Sequence, residues 1–122
     1  MPQIPHMIET WQMVRPWGKD KETVVEGKFE KVSLSVPELG AGEVLVEIAG
    51  CGVCHTDLGY FFDGVPTVNK PPLTLGHEIS GTVVAAGEGA GGWVGREVII
   101  PAVMPCRKCY ICKTGRGNRC LN

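Results

Sequence analysis

The chain has 122 residues and a mass of 13.1 kDa, room for one ordinary globular domain, which excludes a complete enzyme carrying its own nucleotide domain. Its 12 basic and 13 acidic side chains leave a net charge of −1, a balance that fits neither an acidic disordered chain nor a uniformly basic nucleic-acid binder. Seventeen glycines and nine prolines interrupt the chain often, so turns and short strands are expected in place of long helices.

Residues 1–10, with Pro2 and Pro5, read as a flexible leader. Lys31 to Val36 alternates Val32, Leu34 and Val36 with Lys31, Ser33 and Ser35, the period-two pattern of a half-buried strand. Pro37 and the segment Gly40 to Gly42 turn the chain into a second β-rich run, Glu43 to Ala49, with Val44, Val46 and Ile48 on one side. A helix is expected to start near Thr56, capped by Thr56 or Asp57, and to run toward Phe62. Further strands are expected at Ile79 to Ala86 and Glu97 to Ile100. Short strands at close intervals make a mainly β domain, a small barrel or sandwich. No apolar stretch approaches the ~20 residues of a membrane helix, and MPQIPHMIET lacks the basic start and apolar middle of a secretory signal. A cytoplasmic chain that does not bind a membrane is expected, and in a reducing compartment six cysteines read as metal ligands or catalytic thiols.

Their spacing divides them. Cys106, Cys109, Cys112 and Cys120 form Cys-x2-Cys-x2-Cys-x7-Cys, and two-residue gaps let a tight turn offer successive sulfurs to one tetrahedral zinc. An iron–sulfur cluster is the rival, since bacterial ferredoxins open with the same spacing; the final gap of seven and Leu121 in place of proline favour zinc. Arg107, Lys108, Lys113, Arg116 and Arg119 lie in this stretch with no acid among them, where they offset the charge of four thiolates. A free-standing zinc module gripping a protein or nucleic-acid partner is the alternative. Outside the stretch seven basic residues face thirteen acidic ones, which disfavours a polyanion, and no nucleic acid is expected as partner.

The other two cysteines lie in CGVCHTD, Cys51 to Asp57, after a β-rich run, where a thioredoxin-like redox pair is one reading. Leu75-Gly76-His77-Glu78 supplies the imidazole and carboxylate of another. Cys54 and His77 make two-thirds of a catalytic zinc shell. Gly87 to Gly92 satisfies Gly-x-Gly-x-x-Gly after a strand, but Trp93 to Glu97 returns to strand-like sequence instead of a helix, so it reads as a hairpin loop and not a dinucleotide site.

These residues together resemble the N-terminal part of the zinc-dependent medium-chain alcohol dehydrogenases. The family signature Gly-His-Glu-x2-Gly-x5-Gly-x2-Val is met by Gly76, His77, Glu78, Gly81 and Gly87, with Ala90 in place of valine. The resemblance covers nearly all of Trp11 to Cys120. It implies a GroES-like, partly open β-barrel over residues 11–122, with a structural zinc lobe at 106–120. A Rossmann NAD-binding domain belongs to such enzymes and is absent from this chain. Carried over residue by residue, it implies Cys54 and His77 as ligands of a catalytic zinc with Glu78 close behind it, and Asp57 orienting a ligand. Thr56 would bond the alcohol oxygen, and His55 would approach the cofactor phosphates. Cys106, Cys109, Cys112 and Cys120 would hold a structural zinc. Cys51 is expected to be a packed thiol, and the relay histidine of many relatives is replaced by Gly59. The partners implied are NAD and a small alcohol, with a homo-oligomer for the full-length enzyme. A narrower likeness, carried by WQMV, DLGYFFDGVPT, KPPLTLGHEISG, PAVMPC and GRGNRC, points to dehydrogenases of alicyclic alcohols borne on a CoA thioester, with Tyr60, Phe61 and Phe62 walling the pocket or packing as core.

Overall fold

The computed structural model describes residues 4–121. Strand β1 (Met7–Arg15) pairs antiparallel with β4 (Lys28–Ser35), and between them β2 (Gly18–Asp20) and β3 (Thr23–Val25) close a short hairpin. Strand β5 (Val44–Cys51) runs into helix α1 (His55–Phe62). It pairs with β6 (Ile79–Ala86), which pairs with β7 (Glu97–Ile100), giving a three-stranded antiparallel sheet. Helix α2 (Tyr110–Lys113) lies in the cysteine-rich segment. The fold is mainly β, as expected. The sheets stay open, and among the described residues they close no barrel.

The bounds of β6 and β7 match the sequence expectation residue for residue, and α1 begins one residue early. Three expectations need correction. Met7 to Thr10, assigned to a leader, pair with Val32 to Ser35 as the first half of β1; Met1 to Gln3 lie outside the described residues. In β5, irregularities between Leu45 and Val46 and between Ile48 and Gly50 reset the alternation. Leu45 and Val46 are therefore half-buried, whereas Val44 and Ile48 are exposed. On β4, Leu34 is likewise exposed, because the two-stranded β1–β4 ladder is not covered at that end.

The glycine-rich run after β6 is the β6–β7 connection. Gly87 donates to the Glu43 carbonyl (2.8 Å), a single 3-10 turn spans Gly91–Trp93, and Gly95 donates back to Val83 (2.8 Å). The chain then enters an antiparallel strand, so no helix N-terminus faces the glycines.

The buried apolar centre comprises Met13, Val83 and Ala90 among the described residues. Met13 exchanges backbone bonds with Leu73 in both directions (2.8 and 3.2 Å), tying β1 to the segment that leads to His77. On the far side of α1, Phe61 packs on Phe29 (centroids 4.6 Å apart) and Phe62 stacks on Trp17 (6.5 Å). No helix is long and apolar enough to cross a membrane among the described residues.

Met13 is 1% exposed at the junction of β1 with the His77 segment. Met13→Ala is expected to lower unfolding stability by ~2–5 kcal/mol, read as a reduced urea midpoint; an unchanged midpoint would show that this centre does not hold the sheets together.

Candidate functional site

Helix α1 starts where β5 ends, and its first turn is built by Asp57. Cys54 occupies the N-cap in extended conformation (φ −99°, ψ 153°), and its backbone N–H donates to Asp57 Oδ2 (3.1 Å). Neither Thr56 nor Asp57 is the cap itself: Asp57 sits at the third helical position and reaches back, the carboxylate half of a capping box. The Cys54 thiol donates to Thr56 Oγ1 (3.5 Å), which turns the sulfur and the hydroxyl toward each other.

The second half of the site arrives on the approach to β6. His77 Nδ1 lies 3.3 Å from Asp57 Oδ1, with side chains 23% and 14% exposed. Asp57 Oδ1 is buried with no hydrogen bond of its own, so the imidazole is the group that faces it. A proton on Nδ1 directed at this oxygen leaves the Nε2 lone pair for a metal. Cys54, His77 and Glu78 each offer a ligand atom, all within 4.8 Å of one another. Hydrogen bonding to Thr56, then to His77, pulls the Cys54 thiol below its ordinary value against the opposing effects of burial and Glu78. The hydrogen bond with Cys54 raises His77, with Asp57 adding to it. A soft sulfur, an imidazole held in one tautomer and a carboxylate converging on one point suit zinc.

Beside these groups lies a cleft of about 320 Å³ bordered by Thr56, Asp57, Tyr60, Val68, Leu73 and His77. The structure splits the aromatic trio: Tyr60 faces this cleft, whereas Phe61 and Phe62 pack on Phe29 and Trp17. His55 is exposed at the first position of α1. Gly59 is buried against Val65, so no imidazole stands at the relay position. Cys51, expected to be packed, is exposed and outside the Cys54–His77–Glu78 group.

The four remaining cysteines gather as their spacing predicts, with all four sulfurs within 4.8 Å of one another and Cys106 and Cys112 at 4.0 Å. Four sulfurs at Zn–S 2.3 Å stand about 3.8 Å apart, so the set is nearly of metal-binding size. Arg107 takes a left-handed conformation (φ 60°), and the N–H groups of Lys108 and Cys109 point at Cys106 Sγ (3.4 and 3.3 Å). Cys106 N–H in turn donates to Cys120 Sγ (3.3 Å), and Cys112 N–H to Cys109 Sγ (3.5 Å). Backbone donors from Leu121 and Cys112 lower Cys109, whereas burial and the neighbouring thiol of Cys109 push Cys112 up to about 12.

The alcohol dehydrogenase GroES-like domain model matches residues 40–122, and the chain belongs to that family. L-threonine 3-dehydrogenase of Pyrococcus furiosus is 40% identical over 104 residues, 83% of this chain and 30% of that protein. Sorbitol dehydrogenase of Bombyx mori is 37% identical over 77% of this chain and 27% of its own length. Among solved structures, acetophenone reductase from Geotrichum candidum in complex with NAD aligns at TM-score 0.79 and 27% identity, covering 98% of this chain and 33% of that one. This chain therefore spans about a third or less of the relatives it matches.

Metal analysis of the chain purified without chelator is expected to find one tightly held zinc in the four-cysteine lobe and weaker occupancy at Cys54 and His77. Iron, or no metal, would contradict this. Because Cys112 must lose a proton to bind, zinc affinity of the lobe should rise with pH and fall on acidification, with proton release on binding measurable by calorimetry in buffers of different ionisation enthalpy.

Proposed function

We propose that this chain is the N-terminal catalytic-domain part of a zinc-dependent medium-chain alcohol dehydrogenase that oxidises a secondary alcohol to a ketone with NAD. The observation that carries the reading is the convergence of Cys54, His77 and Glu78 beside a cleft bordered by Thr56, with the otherwise unbonded Asp57 Oδ1 behind the imidazole. In this assignment Cys54, His77 and Glu78 hold the catalytic zinc, Asp57 orients His77, and Cys106, Cys109, Cys112 and Cys120 hold a structural one. Bound there, zinc supplies Lewis acidity that brings an alcohol hydroxyl's pKa toward neutrality.

The chain's own groups do the rest. Thr56 Oγ1, fixed at the start of α1 and paired with the Cys54 sulfur, accepts the hydrogen bond of the alcohol hydroxyl and opens the path by which its proton leaves. With Gly59 at the relay position, that path runs on through His55 or water. His55, exposed at the first helical position, is placed to approach the cofactor phosphates. The carbinol hydrogen leaves as hydride to the nicotinamide of NAD, which a separate nucleotide-binding domain supplies.

For the substrate we propose an alicyclic alcohol borne on a CoA thioester, of the kind represented by 6-hydroxycyclohex-1-ene-1-carbonyl-CoA. The sequence runs that carry this likeness include part of the cleft wall, where Tyr60 and Leu73 offer apolar surface to a ring. Phe61 and Phe62 play no part in that wall.

In the full-length dehydrogenase, Thr56→Ala is expected to lower kcat/KM by about 100-fold or more, with Thr56→Ser retaining most activity, since only the hydroxyl is required. The 122-residue chain alone is expected to form no NADH from a cyclic alcohol. Equal activity of Thr56→Ala and the unsubstituted enzyme, or NADH formation by the isolated chain, would contradict the assignment.

A further inference from the structure

At the end of β5 the chain interlocks with the segment that bears His77 and Glu78. Gly52 N–H donates to the Glu78 carbonyl (2.8 Å), one rung beyond the Cys51–Ile79 pair of the β5–β6 ladder. The Glu78 side chain folds back over Gly52: a Cβ on Gly52 would overlap Glu78 Oε2 and stand 3.2 Å from Glu78 Cβ. One residue away the relation is reversed. Cys51 Sγ fills the space over Gly76, 2.8 Å from where a Cβ there would lie, and Gly76 holds φ +122°, a conformation that glycine adopts without penalty. Each strand end thus lacks a side chain where the other supplies one.

We propose that Gly52 is a positioning residue for the metal centre: the space it leaves open is what keeps the Glu78 carboxylate within reach of Cys54 and His77. This rests on the zinc assignment made above. The backbone of Gly52 is not left-handed, so alanine fits its conformation and keeps the N–H bond to Glu78. The atom that a methyl group meets first is the free end of a flexible, exposed side chain. The cheap response is for the carboxylate to swing out, with a give of a few tenths of an ångström at Glu78 Cβ and the strand pairing kept. Gly52→Ala therefore removes a ligand group from the centre without touching Cys54, His77 or Glu78 themselves.

The test is a competition titration of the zinc-loaded 122-residue chain against a chromophoric chelator, which separates the four-cysteine lobe from the weaker site. Gly52→Ala should weaken the weaker site by about 10- to 100-fold and leave the tight site unchanged, as displaced supporting groups do at metal centres. Glu78→Gln should show a similar loss, and Gly52→Ala/Glu78→Gln should bind as Glu78→Gln does, because both changes act through one carboxylate. Gly52→Ala/Glu78→Asp, whose shorter side chain clears the methyl, should recover part of the affinity. Unaltered zinc binding in Gly52→Ala, or additive losses in the double variant, would overturn the inference while leaving the zinc assignment standing. A Gly52→Ala chain that does not fold would also overturn it, since the carboxylate would then not be the group that yields. An unsubstituted chain that binds zinc only in the lobe would overturn the zinc assignment and this inference together.

Discussion

One carboxylate joins the two halves of the site. Asp57 Oδ2 accepts the backbone N–H of Cys54 and so fixes where α1 begins, while Oδ1 faces His77 Nδ1 from a segment twenty residues further along the chain. A reaching-back cap of this kind contributes on the order of 1 kcal/mol to a helix start. Its larger consequence is geometric. The sulfur of Cys54 and the imidazole of His77 are oriented by the same side chain, so the spacing between two prospective ligands does not depend on loop flexibility. The half-buried setting, 14% exposed for Asp57 and 23% for His77, shields that contact from water.

Around this tie the fold is spare. Among the described residues Met13, Val83 and Ala90 are the buried apolar ones, and long stretches of β5 and β7 keep one face open, as at Ile48 and Ile99. Local rigidity comes instead from backbone pairing: the β5–β6–β7 ladder carries Cys51 and Gly52 to one side of the site and Glu78 to the other, and the Met13–Leu73 bridge holds the approach to His77. The two candidate metal-binding groups differ in kind. The four-cysteine set is closed, all sulfur and fed by backbone N–H donors, the pattern of a structural site. The Cys54, His77 and Glu78 set mixes donors, offers three candidate ligand atoms and meets a cleft at His77.

What the sequence disclosed follows from physical range. Strands β6 and β7 were legible because glycine and proline bound their β-rich runs, and α1 because Asp57 stands where a capping carboxylate must. Strand β1 was hidden: its residues Met7, Ile8 and Trp11 are exposed, only Met13 is buried, and its pairing with β4 is a long-range event that no local period announces. The alternation expected for Val44, Val46 and Ile48 failed because bulges are set by the partner strand. For the site, spacing alone assembled the four-cysteine lobe, and two distant motifs named Cys54 and His77. Spacing did not reveal that Glu78 turns back over Gly52, or that Cys51 is exposed and lies against Gly76, since a glycine in a sequence does not say whose side chain fills its space. The division of Tyr60 from Phe61 and Phe62 was equally out of reach, because neighbouring helix positions point to different faces.

On the proposed assignment, Cys54, His77 and Glu78 form a zinc centre already shaped by the fold. The most direct measurement is anomalous diffraction at the zinc edge from crystals of the zinc-loaded chain. That assignment predicts two peaks, one enclosed by Cys106, Cys109, Cys112 and Cys120 and one bounded by Cys54, His77 and Glu78. A single peak in the four-cysteine lobe, or a second peak away from His77, would contradict it.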